Sequence, residues 1–151
     1  MGVFGSLLIY YGNFYFISVL CSFVWWQGDS DRRASAYAEK YEENLGRLIH
    51  ALRFDFQAPE AKFVAASLGQ AGYDMNKNAA LVYQAQMNRS SYEKYPNNVG
   101  HVATVDTRAA WRGPLQPGNE GDYDRAHYGN NAEIFLEVGN AVGLAMAKLL
   151  F

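Results

Sequence analysis

Hydrophobic positions along the chain fall into two kinds of pattern, which predict alternating strands and helices. Three short apolar runs have the length and the branched or aromatic residues of strands: 16–26, 62–68 and 101–106. Three longer segments place apolar residues at helical spacing: 33–56, 78–88 and 131–150. Each strand is followed by a helix, and this order predicts an α/β domain with a parallel sheet.

The segment 33–56 shows the clearest amphipathic pattern. Charged residues such as Glu39, Glu43 and Arg47 occupy one side of the predicted helix. The apolar side, which we expect to be buried, consists of Tyr37, Tyr41, Leu45, Leu48, Ile49, Leu52 and Phe56.

The first 28 residues contain no charged side chain. A bilayer span needs roughly 20 apolar residues, so residues 3–26 allow membrane association and an extracytoplasmic or membrane-associated location. The same residues are rich in Tyr, Phe, Ile and Val, which is typical of strands, and Gly12-Asn13 is a sequence that turns hairpins. The sequence leaves both interpretations open. We therefore divide the chain into an apolar stretch, 1–22, and a domain, 23–151.

Composition excludes several classes of function. With 151 residues, half of them hydrophobic, the chain is long enough for one domain with a core and too short for two. The net charge is −2 with acids and bases interspersed, so we expect no nucleic-acid partner. The single cysteine, Cys21, excludes an intrachain disulfide. No two histidines have metal-ligand spacing, and we predict neither a metal nor another cofactor.

Polar residues follow the predicted strands at their carboxyl ends, where ligands bind in α/β sheets. Gln27-Gly28-Asp29 follows the first strand and Asp106 follows the third. The Gln27 amide is a candidate donor to an oxyanion, a role worth about 3 kcal/mol when it is aligned. Asp29 and Asp31 are alternatively candidates to cap the following helix, and Asp106 is simply explained as a turn residue.

A second cluster precedes the last helix. Asp124 stands three residues before His127, with Asp122 as a second acid. A carboxylate can fix the tautomer of an imidazole, whose other nitrogen then takes a proton from a serine. The alternative is that His127 is an ordinary loop residue. His50 and His101 have no comparable partner in the sequence.

Two blocks of sequence carry a resemblance to a known family. Residues 25–31, WWQGDSD, resemble the W-x-Q-G-E-x-D block of the sialate O-acetylesterase-like (SASA) domain, which is related to carbohydrate esterase family six in the SGNH-hydrolase superfamily. His127-Tyr128 and the helix after it resemble that family's terminal histidine block. The resemblance covers residues 23–151 and corresponds to the C-terminal half of the family domain.

The resemblance implies a flavodoxin-like three-layer fold, incomplete at its N-terminus, and hydrolysis of O-acetyl esters on carbohydrates. It makes His127 the base, Asp124 its orienting acid, and Gln27 with Gly28 the oxyanion hole. Asp29 stands where the family has a longer glutamate and is expected as a supporting acid. The family's Gly-Gln-Ser-Asn block, which carries the nucleophile, has no counterpart in this sequence.

Two alternatives arise from the missing block. Gly28-Asp29-Ser30 spells the Gly-Asp-Ser of GDSL esterases between a strand and a helix, which makes Ser30 a candidate nucleophile. Each strand–helix unit takes roughly 30 residues, so the interval from Ser30 to His127 is short for a complete GDSL sheet. The other alternative is a non-catalytic, carbohydrate-binding remnant in which Trp25, Trp26 or Trp111 stack on sugars.

A sheet of about three strands leaves an edge without a partner strand. Such an edge exposes backbone donors and acceptors that can pair with another chain. We therefore expect self-association through an exposed sheet edge.

Overall fold

A computed structural model describes residues 6–11, 14–19, 22–112, 128 and 131–151, with the backbone alone for the first two ranges. The strands are β1 (Ser6–Tyr11), β2 (Phe14–Val19), β3 (Ser22–Trp26), β4 (Lys62–Ala66) and β5 (Val102–Val105). The α-helices are α1 (Ser35–Asp55), α2 (Lys77–Asn88) and α3 (Ala132–Leu150). Short 3-10 helices cover Asp31–Arg33, Pro96–Asn98 and Arg108–Ala110.

Strands β3, β4 and β5 form a parallel sheet in that order, with β4 in the centre. The β4 sequence Lys62–Ala66 is apolar after its first residue, as expected for a strand covered on both faces. Phe63, Val64 and Ala66 have no measurable solvent exposure. The predicted α/β class and parallel sheet are confirmed.

Helices cover both faces of this sheet and make three layers. Helices α1 and α2 contact each other and bury one face, where Phe63 and Ala65 of β4 lie against Leu45 and Val82. Helix α3 buries the other face, where Val64 and Ala66 lie against the side chains Ile134, Val138 and Val142. The alternation along β4 follows from the two-residue period of a strand. The expected three-layer arrangement is confirmed in the residues described.

The apolar N-terminal run differs from its prediction. We expected one buried strand over 16–26, but β2 ends at Val19 and β3 begins at Ser22. Strand β3 lies at an edge of the sheet, and its Val24 side chain is 58% exposed. Burial from both sides was therefore wrong for β3, because α3 packs mainly against β4 and β5 and leaves Val24 uncovered.

The hairpin alternative for the N-terminal run is confirmed. Strands β1 and β2 pair antiparallel, with Tyr11 opposite Phe14, so two residues connect them. No helix in the described part of the chain has the length and hydropathy to cross a membrane. The division into 1–22 and 23–151 stays a prediction.

Helix α1 begins later than predicted. Its N-cap is Ala34, and no side chain caps it. Asp31 instead opens the short 3-10 helix Asp31–Arg33, so the capping role considered for Asp29 and Asp31 is wrong. Tyr37 and Phe56, at the ends of the predicted apolar face, are exposed, while Tyr41, Leu45 and Ile49 in its middle are buried.

The outer edge of β3 has no strand partner among the described residues. Self-association through this edge stays a prediction.

Candidate active site

A cleft of about 360 Å³ opens at the carboxyl ends of β3 and β4. Most of its polar side chains come from the segment after β3. Its apolar side chains come from the cores on both faces of the sheet. The polar lining residues are Gln27, Asp29, Ser30, Arg33 and Gln70. The others are Trp26, Gly28, Leu68, Tyr128 and Phe135. The position agrees with the general rule that ligands bind at the carboxyl ends of parallel strands.

Gly28 lets the chain turn closely over α2 at the start of the cleft. Its φ of +149° lies in a region that L side chains rarely adopt, and an added Cβ would lie 2.8 Å from Val82 Cγ1. Gly28 is therefore required by both its conformation and the close approach, and it directs the next two residues, Asp29 and Ser30, to the cleft.

The Gln27 side chain is held by two neighbours, Asp31 and Tyr41. Its side-chain Nε2 donates to Asp31 Oδ2 at 2.6 Å, and the Tyr41 hydroxyl lies 3.3 Å from its Oε1. Burial raises the pKa of the Tyr41 hydroxyl, which stays a neutral donor. Because a carboxylate only accepts hydrogen bonds, Asp31 fixes which end of the Gln27 amide faces it. Among the described residues, no acceptor contacts the second Nε2 hydrogen.

Gln86 of α2 forms hydrogen bonds with the segments that follow both β3 and β4. The sequence pattern did not predict this role. The Gln86 side chain is fully buried. Its Oε1 accepts from the Leu68 backbone N–H at 2.6 Å, and its Nε2 donates to the Gln27 carbonyl at 2.7 Å. The sequence feature that could have indicated it is the helical spacing, which places the Gln86 amide on the same face as Val82 and Ala85.

Asp29 is an acceptor for two arginines. Arg32 contacts its Oδ1 through Nε at 2.8 Å, and Arg33 contacts its Oδ2 at 2.9 Å. Partial burial raises the pKa of Asp29, but the hydrogen bonds and positive charges of Arg32 and Arg33 outweigh it, and the net effect lowers that pKa. Asp29 is thus an ionised carboxylate whose oxygens both face arginine.

Ser30 is exposed and lines the cleft. It precedes the three-residue 3-10 helix rather than α1, so it is not at the N-terminus of a long helix. The Arg32 and Arg33 backbone N–H groups there donate to the Gly28 and Ser30 carbonyls. Ser67 of the strand-end segment is instead buried, and its Oγ accepts from the Thr107 N–H.

Tyr128 joins the last part of the chain to the cleft. Its hydroxyl oxygen accepts from the Gly69 N–H at 3.0 Å and from the Trp26 indole N–H at 3.1 Å. Its ring lies 4.9 Å from that of Trp26 and 6.1 Å from that of Trp111. Tyr128 is therefore anchored at the ends of both β3 and β4.

The model of a known family matches residues 16–148 of this chain. Its description is "carbohydrate esterase, sialic acid-specific acetylesterase". The match covers most of the chain, including the whole segment that lines the cleft. The chain belongs to this sialic acid-specific acetylesterase family of carbohydrate esterases.

One solved structure adds support for the fold of this acetylesterase-family chain. The crystal structure of a protein from Arabidopsis thaliana is 25% identical, with a TM-score of 0.55. The similarity covers 85% of this chain and 44% of the Arabidopsis chain, so this chain spans less than half of that protein's length. Among curated proteins, none matches.

Several residues proposed for the esterase site lie outside the described residues, namely His127, Asp124 and Asp122. The roles assigned to them stay predictions. The structure does bring Gln27, Gly28, Asp29 and Ser30 to one cleft with Tyr128, which directly follows His127 in the sequence.

Other candidate residues lie outside the cleft lining. Asp106 forms an ion pair with Arg108 at 2.7 Å, and this arginine lowers the pKa of Asp106. His101 lies at the opposite, amino end of β5 near Lys62. Of the three tryptophans, Trp26 lines the cleft, whereas the Trp25 indole donates to Tyr41 on the other face. The described residues contain no cluster of three or more His, Cys, Asp or Glu side chains that would hold a metal.

Replacing Tyr128 with phenylalanine should lower the free energy of unfolding by about 1–2 kcal/mol, because it leaves the Gly69 and Trp26 donors without an acceptor. Urea unfolding measures this change. The control is Tyr92→Phe, since the Tyr92 side chain is 72% exposed and its change should stay within about 0.5 kcal/mol. Equal stability of the two variants would show that Tyr128 does not anchor the chain.

Proposed function

We propose that the cleft is the substrate site of a carbohydrate O-acetylesterase. One observation carries the proposal: the segment Gln27–Ser30 and the anchored Tyr128 line the same cleft at the carboxyl ends of the strands. The family match supports acetylated carbohydrates as the substrate class.

His127 is proposed as the general base, with Asp124 as the acid that orients it. Consecutive Cα atoms are about 3.8 Å apart, so the anchor at Tyr128 limits how far the backbone at His127 extends from the cleft. The Asp-x-x-His spacing supplies base and orienting acid from one short segment. Gln27, with Gly28, is proposed as the oxyanion hole, because Asp31 holds its amide while its second hydrogen has no acceptor among the described residues.

Ser30 is proposed as the nucleophile that this chain offers. Its Oγ attacks the acetyl carbonyl carbon and passes its proton to His127, and the sugar oxygen leaves with that proton. Water then hydrolyses the acetyl-serine and regenerates Ser30. Among the described serines, Ser30 is the one that lines the cleft.

A second candidate function is carbohydrate binding without catalysis. One observation favours it: the backbone N–H groups of Arg32 and Arg33 next to Ser30 already donate to the Gly28 and Ser30 carbonyls, so they are not free to stabilise an oxyanion.

A fluorophosphonate probe separates these two functions. The probe should label the folded chain at Ser30, located by peptide mass spectrometry, and labelling should disappear in His127→Ala. The matched control is Ser35→Ala, a serine outside the cleft lining, which should label like the wild type. An unlabelled folded chain that still binds acetylated sugars would refute the esterase proposal and favour the second function.

A further inference from the structure

A second cavity, which we call the α1 cavity, lies between the end of β3 and helix α1. Its volume is about 380 Å³, close to the 360 Å³ of the cleft. Gln27 lines both spaces. The α1 cavity is also lined by Trp25, Asp31, Tyr41, Leu45 and Leu48, none of which lines the cleft. The α1 cavity is therefore a separate place for a ligand.

Asp31 supplies the charge of the α1 cavity. Among the described residues that line it, Asp31 alone is charged. Its Oδ2 accepts from Gln27 Nε2 at 2.6 Å, and no described donor contacts its Oδ1. Arg32 and Arg33 both form their ion pairs with Asp29. Within the described part of the chain, the Asp31 carboxylate therefore has no ion-pair partner.

The aromatic residues of the α1 cavity have their polar atoms already paired. The Trp25 indole Nε1 donates to the Tyr41 hydroxyl at 3.4 Å, and that hydroxyl donates to the Gln27 carbonyl at 2.9 Å. What these two residues offer to a ligand is therefore ring surface, and Leu45 and Leu48 add aliphatic surface beside it. The faces of indole and phenol rings carry partial negative charge and attract cations.

Hydrogen bonds connect the carboxylate to the aromatic pair. The Gln27 amide lies between them, because its Nε2 contacts Asp31 and its Oε1 lies 3.3 Å from the Tyr41 hydroxyl. Burial raises the pKa of Tyr41, and the negative charge of Asp31 raises it further. A ligand that uses the whole cavity must therefore match a carboxylate and apolar, aromatic surface at the same time. A metal ion would leave the rings unused, and a neutral ligand would leave the charge unpaired.

We propose that the α1 cavity binds a small organic cation, an alkylammonium ion, whose charge pairs with Asp31 and whose alkyl groups lie against Trp25 and Tyr41. The site goes beyond the proposed function, since it requires no ester chemistry and uses neither Ser30 nor His127. Because Gln27 lines both the α1 cavity and the cleft, a bound cation should also be detected at the Gln27 amide.

The test compares two probe ligands of nearly the same shape that differ in charge. Choline carries a trimethylammonium group, and 3,3-dimethylbutan-1-ol carries a neutral tert-butyl group in its place. Each is titrated into the full chain labelled with nitrogen-15, and the NMR signals of the Trp25 indole and the Gln27 amide are followed. We expect choline to bind about tenfold more tightly than the alcohol, and to shift both signals.

Three variants locate the charge that choline recognises. Asp31→Asn keeps the size of the side chain and should lose the preference for choline, whereas Asp31→Glu should keep part of it. Leu48→Lys leaves Asp31 intact but places a positive charge in the cavity lining, so it should exclude choline. The matched control is Asp55→Asn, because Asp55 is exposed at the end of α1 and lies outside the cavity lining. It should bind both probes like the wild type.

Equal affinity for the two probes, no binding of choline, or an unchanged preference in Asp31→Asn would each overturn the cation site. Choline that shifts the signal of Trp26 in the cleft but not that of Trp25 would overturn it too. These results are independent of the labelling of Ser30. An unlabelled chain that prefers choline through Asp31 would refute the esterase proposal alone, and a labelled chain without that preference would refute the cation site alone.

Discussion

Replacing His127 with alanine should reduce ester hydrolysis by the chain about 10²–10⁴-fold, the usual contribution of a general base. The imidazole is needed neutral to take the Ser30 proton, so the wild-type rate should also fall as the pH drops and His127 becomes protonated. The measurement is hydrolysis of an O-acetylated sialic acid, with acetate release monitored between pH 5 and 9. Asp124→Asn should lower the rate as well, because the amide NH2 can donate to the imidazole and favour the wrong tautomer, and the negative charge that stabilises the imidazolium is lost.

The control for this prediction is His50→Ala. His50 is exposed on α1 and does not line the cleft, so its loss should leave the rate and the pH profile unchanged. A His127→Ala variant that hydrolyses the ester at the wild-type rate would remove His127 from the mechanism. A pH profile without an acid limb would point to a different base.

Much of the fold was predictable because its signals are local. The continuous apolar run of β4 and the 3.6-residue period of α1 each follow from which side chains are apolar. Alternation of strands with helices then limits the sheet to parallel pairing. The central position of β4 agrees with its continuous apolar run.

The properties of β3 were not predictable from its sequence. Ser22–Trp26 is as apolar as a central strand, yet it lies at an edge of the described sheet. Edge and centre differ in which strands are present beside them, and that information lies outside the strand itself. Val24 is exposed because α3 packs mainly against β4 and β5, and the position of this helix is also not encoded in the strand.

The site shows a similar division. The position of Gln27–Ser30 at a strand end was predictable, because these residues come directly after a clear strand pattern in the chain. The pairing of Asp29 with Arg32 and Arg33 was not, since it depends on the 3-10 turn Asp31–Arg33, which the sequence pattern did not predict. The pairing matters because both oxygens of the expected supporting acid already accept from arginine.

Replacing Gln86 with leucine should lower the free energy of unfolding by about 3 kcal/mol. The two side chains are similar in volume, so the main change is the loss of hydrogen bonds with Leu68 N–H, the Gln27 carbonyl and the Tyr41 hydroxyl. The Leu68 N–H is left unpaired, whereas the Gln27 carbonyl still accepts from Tyr41. A buried polar group left unpaired costs about 1–3 kcal/mol. For a chain of this size the melting temperature should fall by roughly 6–12 °C.

The matched control for Gln86→Leu is Gln84→Leu, two residues earlier in α2. The Gln84 side chain is exposed, and its amide contacts Asn88 in the next turn, so its replacement should change stability by no more than about 0.5 kcal/mol. Calorimetric melting of both variants gives the comparison.

Because Leu68 and Gln27 both line the cleft, Gln86→Leu should also weaken sugar binding at temperatures where the variant is folded. If the two variants have the same melting temperature, the buried Gln86 amide does not hold the ends of β3 and β4 together. The geometry of the cleft must then depend on Tyr128 and Gly28 instead.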